Sequence, residues 1–570
     1  MDIKEQANFI WSIADLLRGN FKQSEYGKVI LPFTVLRRFD CVLAPSKEEI
    51  LERNKSLAVS NKAPIFKKYT GHDYYNVSKF DFEKLIDDSN NIDTNLKDYI
   101  NGFSDDVKEI LDNFEIVTII EKLKKAGLLY LVVQKFSEIN LGADTIDNLE
   151  MGYMFEELIR KFSEQSNETA GEHFTPREVI ELMVEVLLDA NLDEITTTDG
   201  KVITILDPAC GTGGMLSIAQ NQIRALNSTT TVIPFGQELN PETYATCKSD
   251  MILKNNTNSK IVFGNSFSED GFREQKFDYI LSNPPFGVEW KKVKNFIENE
   301  SKHKGYDGRF GAGTPRISDG SLLFLQHMIS KMQPIEKGGS RIGIVFNGSP
   351  LFTGDAGSGE SEIRKWIIEK DLLEAVIGLP DQLFYNTGIS TYVWILTNRK
   401  TDRRKGKIRL INGTSFFGKM RKSLGNKRNE ITESDRKEIV RLYSTYEHDE
   451  NYIDFDNDDF GYRKITIERP LYDENREIVV EKGNPKPNSK LRDTETVPFK
   501  EDIHEYFKRE VLPHVPDAWI DEKKTKIGYE IPFTRHFYKF TPLRESSVVL
   551  DEIKQLEEKI QKSLNELFKG

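Results

Sequence analysis

The sequence predicts an α/β protein. It reads as an open, mostly parallel sheet with one late antiparallel strand, behind a helical N-terminal domain and ahead of a helical tail. Three observations predict this. Apolar runs at 202–206, 231–236, 260–264 and 277–282 each end in a polar or Gly-rich corner, and helix starts lie between them, as in a doubly wound sheet. Upstream, apolar residues recur at the three- and four-residue steps of helices. At the far end, Val549, Ile553, Leu556, Ile560, Leu564 and Leu567 do the same.

Residues 1–150 need only helices. Phe9, Ile10, Ile13, Leu16 and Leu17 form one stripe, and Val29, Ile30, Phe33, Leu36 and Phe39 another. The next unit spans 151–400. It opens on Glu172-His173-Phe174-Thr175-Pro176-Arg177-Glu178, which fits a capping box with Thr175 at N-cap, Pro176 at the first helical position and Glu178 at the third. Val179, Ile180, Met183, Val186 and Leu187 continue it at helical spacing. On the residues alone this is a simple helix start, and His173 a structural histidine.

The first strand, 202–206, ends in Asp207-Pro208-Ala209-Cys210-Gly211-Thr212-Gly213-Gly214, and a helix follows. A strand, a Gly-rich turn and a helix make a nucleotide-type corner. It is not a P-loop, which ends in Gly-Lys-Ser/Thr. It is not a dinucleotide fingerprint either, since Leu216 stands where a third glycine belongs. An acid at the strand tip suits a cationic or hydroxyl-bearing ligand. After the second strand comes Glu238, placed as acids that take ribose hydroxyls are. Asn240-Pro241 then caps a helix. The third strand ends in Asn265-Ser266, whose amide suits an adenine edge. The fourth ends in Asn283-Pro284-Pro285-Phe286. Proline fixes φ and removes a donor, so this corner offers an amide oxygen, carbonyl acceptors and an aromatic face. That is a receptor for a flat base with an exocyclic NH2 group.

Further strands are expected at 341–347, 373–379 and 390–397. The polar, Gly-rich stretch 298–319 reads as a loop, either mobile near substrate or an ordinary surface loop. A charged extension occupies 401–548, with 448–500 irregular. Within 399–428, twelve Lys and Arg face only Asp402, which marks a solvated loop or a DNA contact. The amphipathic helix 549–570 packs on its own domain or docks on a partner.

This ordered set resembles S-adenosylmethionine (AdoMet) methyltransferases that modify exocyclic amino groups of bases, with a Rossmann-like sheet. More narrowly, it resembles the modification subunit of type I restriction–modification systems, which methylates N6 of adenine in DNA. The wording Asp207–Gly214, the segment Gly171–Glu178 and the downstream Asp319-Gly-Ser-Leu-Leu-Phe-Leu-Gln-His327 narrow it. The resemblance implies that Asp207–Gly214 cradle the methionine part of AdoMet and that Glu238 holds its ribose. It implies that Asn265, with Ser266, faces its adenine where the family commonly has Asp, and that Glu172–Arg177 close over it. Asn283, Pro284 and Phe286 would hold an adenine flipped out of double-stranded DNA. No metal is required, because a sulfonium methyl is already activated. The implied partners are a specificity subunit, with two modification chains to each, and a restriction or translocating subunit. Other classes stay open: an amino-group methyltransferase acting on RNA or protein, a standalone enzyme, or a non-catalytic AdoMet-binding subunit.

Composition fits this reading. The 570-residue chain needs two or three domains, and its three cysteines, Cys41, Cys210 and Cys247, show no zinc or redox spacing. A reducing cytoplasm is the expected home. Neither a signal peptide nor a membrane-length apolar run is expected. A net charge of −12 suits a subunit that borrows DNA affinity from a partner.

Overall fold

A computed structural model describes residues 3–57, 61–166, 175–254, 256, 258–384, 388–424, 426–538 and 545–567. Residues 1–531 form one compact unit and 532–570 a second.

The first unit is built on a nine-stranded sheet. Its strands are β1 (Val202–Asp207), β2 (Thr231–Glu238), β3 (Lys260–Phe263), β4 (Tyr279–Ser282), β5 (Arg341–Asn347), β6 (Leu373–Gly378), β7 (Thr391–Thr397) and β8 (Lys407–Asn412). Two short strands, β9 (Gly418–Leu424) and β10 (Lys427–Glu430), pair only with each other, and β11 (Tyr452–Asp456) returns to the sheet edge. The spatial order is β11-β8-β6-β7-β5-β4-β1-β2-β3. The expected late antiparallel strand is β7, and the edge strand β11 is a second. β4, β6 and β7 are buried throughout, which is why they read as nearly continuous apolar runs rather than alternating ones, the one charge in β6, Glu374, being paired with Arg341. The order reverses between β1 and β4, so a crevice opens outside their C-terminal ends.

The N-terminal helices Ile3–Leu17 and Tyr26–Leu43 bury Ile10, Ile13, Leu17, Val29, Ile30, Phe33, Leu36 and Phe39. The helix Asn148–Ser166 adds Met154 and Leu158 to the same core, and Ala245 and Leu253 join it from the helix Pro241–Leu253 behind the sheet. Buried Arg38 donates to the carbonyls of Leu141 and Ile146 and to Asn148 Oδ1. Three carbonyl-type acceptors thereby fix the entry into Asn148–Ser166, a helix that borders the crevice.

Two expectations need correction. The stretch 298–319 is not a plain loop. Its first part lies in the helix Lys294–Lys304, and Arg309 pins the following turn inward through paired bonds to Glu300. Nor is 448–500 irregular throughout. Strands Gly461–Glu468 and Asp493–Pro498 pair antiparallel over a small core of Ile465, Ile467 and Val497. Only alternate residues there are apolar, so charge masks the strands. In the second unit, Ser546–Leu567 is one helix, as expected. Among the described residues no helix is long and apolar enough to cross a membrane.

Candidate active site

The strand tips at the β1/β4 reversal bring the polar corners together. Asp207 ends β1 and is 2% exposed. Its Oδ1 accepts from the Ala209 N–H (3.0 Å) and from Ser282 Oγ at the end of β4 (2.9 Å). Burial nonetheless pushes its carboxyl up to about 7, since two donors do not replace full hydration. Glu238, at the tip of β2, accepts from the Gly211 N–H (2.8 Å) and the Asn240 N–H (2.7 Å). The Gly-rich turn and the second acid are therefore one unit. Gly213 lies at φ +84°, and a Cβ there would stand 2.6 Å from Cys247 Sγ, so only glycine fits. Cys210 shares a contact with the Cys247 thiol, which together with burial holds its own thiol protonated. It serves packing rather than attack.

Asn240 caps its helix as expected, accepting from the N–H groups of Glu242 and Thr243. Asn265 Oδ1 accepts from the N–H groups of Phe267 (2.9 Å) and Ser268 (3.3 Å). Its acceptor is committed to the turn, which leaves the NH2 group for a ligand. Ser266 Oγ donates to the Pro208 carbonyl and ties the third tip to the first. Arg309 donates to the Ser266 (3.0 Å) and Phe267 (2.6 Å) carbonyls, and to His327 Nδ1 (3.2 Å). Burial pushes that imidazole down to about 3, so it is a neutral acceptor.

Asn283 follows β4. Its Nδ2 donates to Thr175 Oγ1 (2.9 Å), while its Oδ1 is buried without a partner among the described residues. The capping box is accordingly not formed. The helix begins at Arg177, one residue later than the box requires, and no side chain caps it. The Thr175 hydroxyl engages Asn283 instead, and Glu178 pairs with Lys427. Arg177 lies against Tyr153 and bonds Glu181. Phe286 is 9% exposed and packs edge-on against Phe384 at 6.3 Å. Glu172, His173 and Phe174 lie outside the described residues.

Two cavities meet here. One of about 80 Å³ is lined by Thr175, Asp207, Gly211, Thr212 and Gly214, with Gly152, Phe155 and Ile159 from the helix Asn148–Ser166. The other, about 430 Å³, is lined by Pro208, Glu238, Asn240, Asn265, Ser266 and Pro285, with Trp290 and Phe324. Ala209 and Asn283 line both. Gly213, Pro284, Phe286, Pro176 and Arg177 line neither among the expected set. Sequence reasoning missed Phe155 and Ile159, which look like ordinary helix-core residues. Phe324 was within reach, since it lies in the Asp319–His327 motif.

Sequence models of known families match this architecture piece by piece. The model described as N-6 DNA Methylase covers residues 147–460, more than half of the chain. The chain belongs to the N-6 DNA methylase family. The HsdM N-terminal domain matches residues 6–136, the helical part. Among curated relatives of this methylase, the type I restriction enzyme MjaIX methylase subunit of Methanocaldococcus jannaschii is 26% identical over 487 residues, 81% of this chain and 80% of its own. The HindI methylase subunit of Haemophilus influenzae is 31% identical over 280 residues, 48% of this chain and 55% of its own. A type I restriction–modification methyltransferase subunit from Streptococcus thermophilus shares the fold, with a TM-score of 0.65 at 22% identity over 81% of this chain and 97% of that one. A chain from a study of type I complex assembly and conformational transition covers 98% and 97% at a TM-score of 0.51 and 19% identity.

Proposed function

We propose that this methylase is the modification subunit of a type I restriction–modification complex. It transfers the methyl group of AdoMet to N6 of adenine in DNA, at sites chosen by a separate specificity chain. One observation carries the reading: a buried Asn283 Oδ1 with no partner among the described residues, held at the fourth strand tip by a bond through the other end of the same amide. An orphaned buried acceptor costs about 1–3 kcal/mol unless a ligand satisfies it. An exocyclic N–H is such a ligand.

The residues present fit AdoMet. A glycine cradle, a fixed carboxylate at Glu238 and a free amide NH2 at Asn265 match a cationic amino acid joined to a ribose and a purine. Asp207–Gly214 would hold the methionine part, Glu238 the ribose hydroxyls, and Asn265 with Ser266 the adenine. Thr175 would serve both sites. When bound, the cofactor supplies an activated sulfonium methyl.

The chain's own work is on the target nitrogen. Its lone pair is delocalised into the ring, which makes it a poor nucleophile. Asn283 Oδ1 and the Pro284 carbonyl accept its two N–H bonds and draw the nitrogen toward sp3. Phe286, now packed edge-on against Phe384, would stack on the flipped base once that base displaces the corner's packing. The remainder is alignment within a closed crevice. The helix Ser546–Leu567 leaves Val549, Ile553, Leu556 and Ile560 exposed and would serve as the docking element for a specificity chain, with two modification chains to each in the family pattern.

Product analysis tests this directly. The complex is incubated with isotope-labelled AdoMet and duplex DNA, and the DNA is digested to nucleosides. Label in N6-methyldeoxyadenosine supports the reading. Label in methylcytosine, or in RNA or protein only, contradicts it.

A further inference from the structure

The basic segment 399–428 is divided by the fold. Lys400 donates to Asp371 (2.6 Å), Arg409 grips Asp454 with two bonds of 2.7 Å, and Arg404 donates to the Tyr443 carbonyl. Arg403 stacks on Tyr446 at 3.7 Å and Lys405 pairs with Asp402. All of these charges are engaged within the protein. Those that precede β8 also lie at the wrong edge of the sheet. β8 runs parallel to β6, hence in the same sense as β4, so its start is opposite the tips that carry Asp207 and Asn283.

The end of β8 delivers the chain to the tip edge, and the β9–β10 hairpin follows there. Its return strand, β10, is tied to the crevice elements from two sides, starting at Lys427 beside the turn. Lys427, 3% exposed, pairs with Glu178 and donates to the Leu383 carbonyl (3.0 Å). Asn429 Nδ2 donates to the Asp381 carbonyl (2.8 Å), and the Arg428 N–H to the Gln382 carbonyl (2.9 Å). Glu178 is three residues from Thr175, which holds Asn283. Phe384 follows Leu383 and meets Phe286. Lys419, Arg421 and Arg428 are exposed on this hairpin, and none forms an ion pair among the described residues. Within a chain of net charge −12, these three exposed cations share one short hairpin whose return strand is bonded to the target-corner elements.

We propose that the β9–β10 hairpin grips the DNA backbone beside the flipped adenine through Lys419, Arg421 and Arg428. The inference rests on the DNA substrate proposed above. A polyanion is the occupant because the surface is cationic and strand β10 is bonded to the elements that frame the base-binding corner. Each phosphate neutralised releases condensed counterions, so the contacts write themselves into the salt dependence of binding.

The test compares three forms of the full chain, each assembled with its specificity protein: wild type, a neutral variant (Lys419→Gln, Arg421→Gln, Arg428→Gln) and a charge-retaining one (Lys419→Arg, Arg421→Lys, Arg428→Lys). Binding of a fluorescein-labelled duplex carrying the mapped target adenine is followed by anisotropy, from about 50 to about 200 mM KCl. The neutral variant should lose about 2.7 from the slope of log affinity against log salt, at ~0.9 per contact, and bind roughly tenfold or more weakly. The charge-retaining variant should keep the wild-type slope. An unchanged slope and affinity in the neutral variant, beside a wild-type complex that methylates adenine, would overturn the hairpin's role. A wild-type complex that binds AdoMet but leaves no N6-methyladenine strikes the proposed function itself, and the hairpin inference with it.

Discussion

Replacing Thr175 by valine removes one hydroxyl and nearly nothing else, which makes it a sharp probe of how Asn283 is aimed. Thr175 Oγ1 is the acceptor for Asn283 Nδ2 at 2.9 Å, while Oδ1 stays buried and unpartnered among the described residues. That asymmetry decides which end of the amide meets the target nitrogen. With valine, Nδ2 loses its acceptor, and the two amide orientations differ less in energy. A net hydrogen bond is worth roughly 1 kcal/mol, and a stranded buried donor about 1–3 kcal/mol. Converted at 1.36 kcal/mol per tenfold, a loss of about 1–3 kcal/mol lowers the methylation rate roughly 5- to 150-fold. Single-turnover methylation at saturating AdoMet reads this rate, and titration calorimetry reads cofactor affinity separately. The expected result is a fall in rate larger than any fall in affinity, with Thr175→Ser close to wild type. A Thr175→Val enzyme with the wild-type rate refutes the reasoning, as does a serine variant as impaired as valine.

Asp207, raised to about 7 from an ordinary 3.8, holds its proton more tightly folded than unfolded, so its contribution to stability is full below pH ~4 and is lost as pH rises toward 7. Asp207→Asn should therefore gain thermal stability relative to wild type between pH 5 and 8, and parallel melting curves would show the carboxyl is not desolvated. Arg309→Ala frees the Ser266 and Phe267 carbonyls, and bonds from a charged donor are worth about 1.5–3 kcal/mol, so AdoMet affinity should fall about tenfold or more without restoration by lysine. Calorimetry that finds wild-type affinity in Arg309→Ala would contradict this. Deleting 549–570 should leave AdoMet binding intact and release the specificity chain, an outcome that normal co-purification of the shortened chain would exclude.

Much of this architecture is legible in the residues, and the misses have physical causes. β4 and β6 announce themselves because strands covered on both faces are mostly apolar, and the one charge in β6, Glu374, is buried in a pair with Arg341. Asn240-Pro241 was readable because an N-cap is a local interaction. Thr175-Pro-Arg-Glu178 obeys the same local rule, yet its hydroxyl is claimed by Asn283 and its acid by Lys427, both distant in sequence. Local chemistry proposes a cap there, and tertiary contacts override it. The basic run behaves likewise. Nothing in its composition separates Arg409, spent on Asp454, from Arg421, left in solvent. The sheet around Gly461–Glu468 is hidden because a strand with one small buried face shows few apolar residues. Asn265 shows a further limit: its type suggests an acceptor for adenine, while its turn consumes that acceptor.

The measurement that tests the central claim most directly is N6-methyladenine mapping in DNA from a methylation-deficient bacterial host. Three cultures suffice: the chain alone, the chain with a candidate specificity protein, and Asn283→Ala with the same protein. The account predicts N6-methyladenine only in the second, at a split two-part site. An unmethylated genome in the second culture with both proteins soluble, or the same methylation pattern in the third, would contradict it.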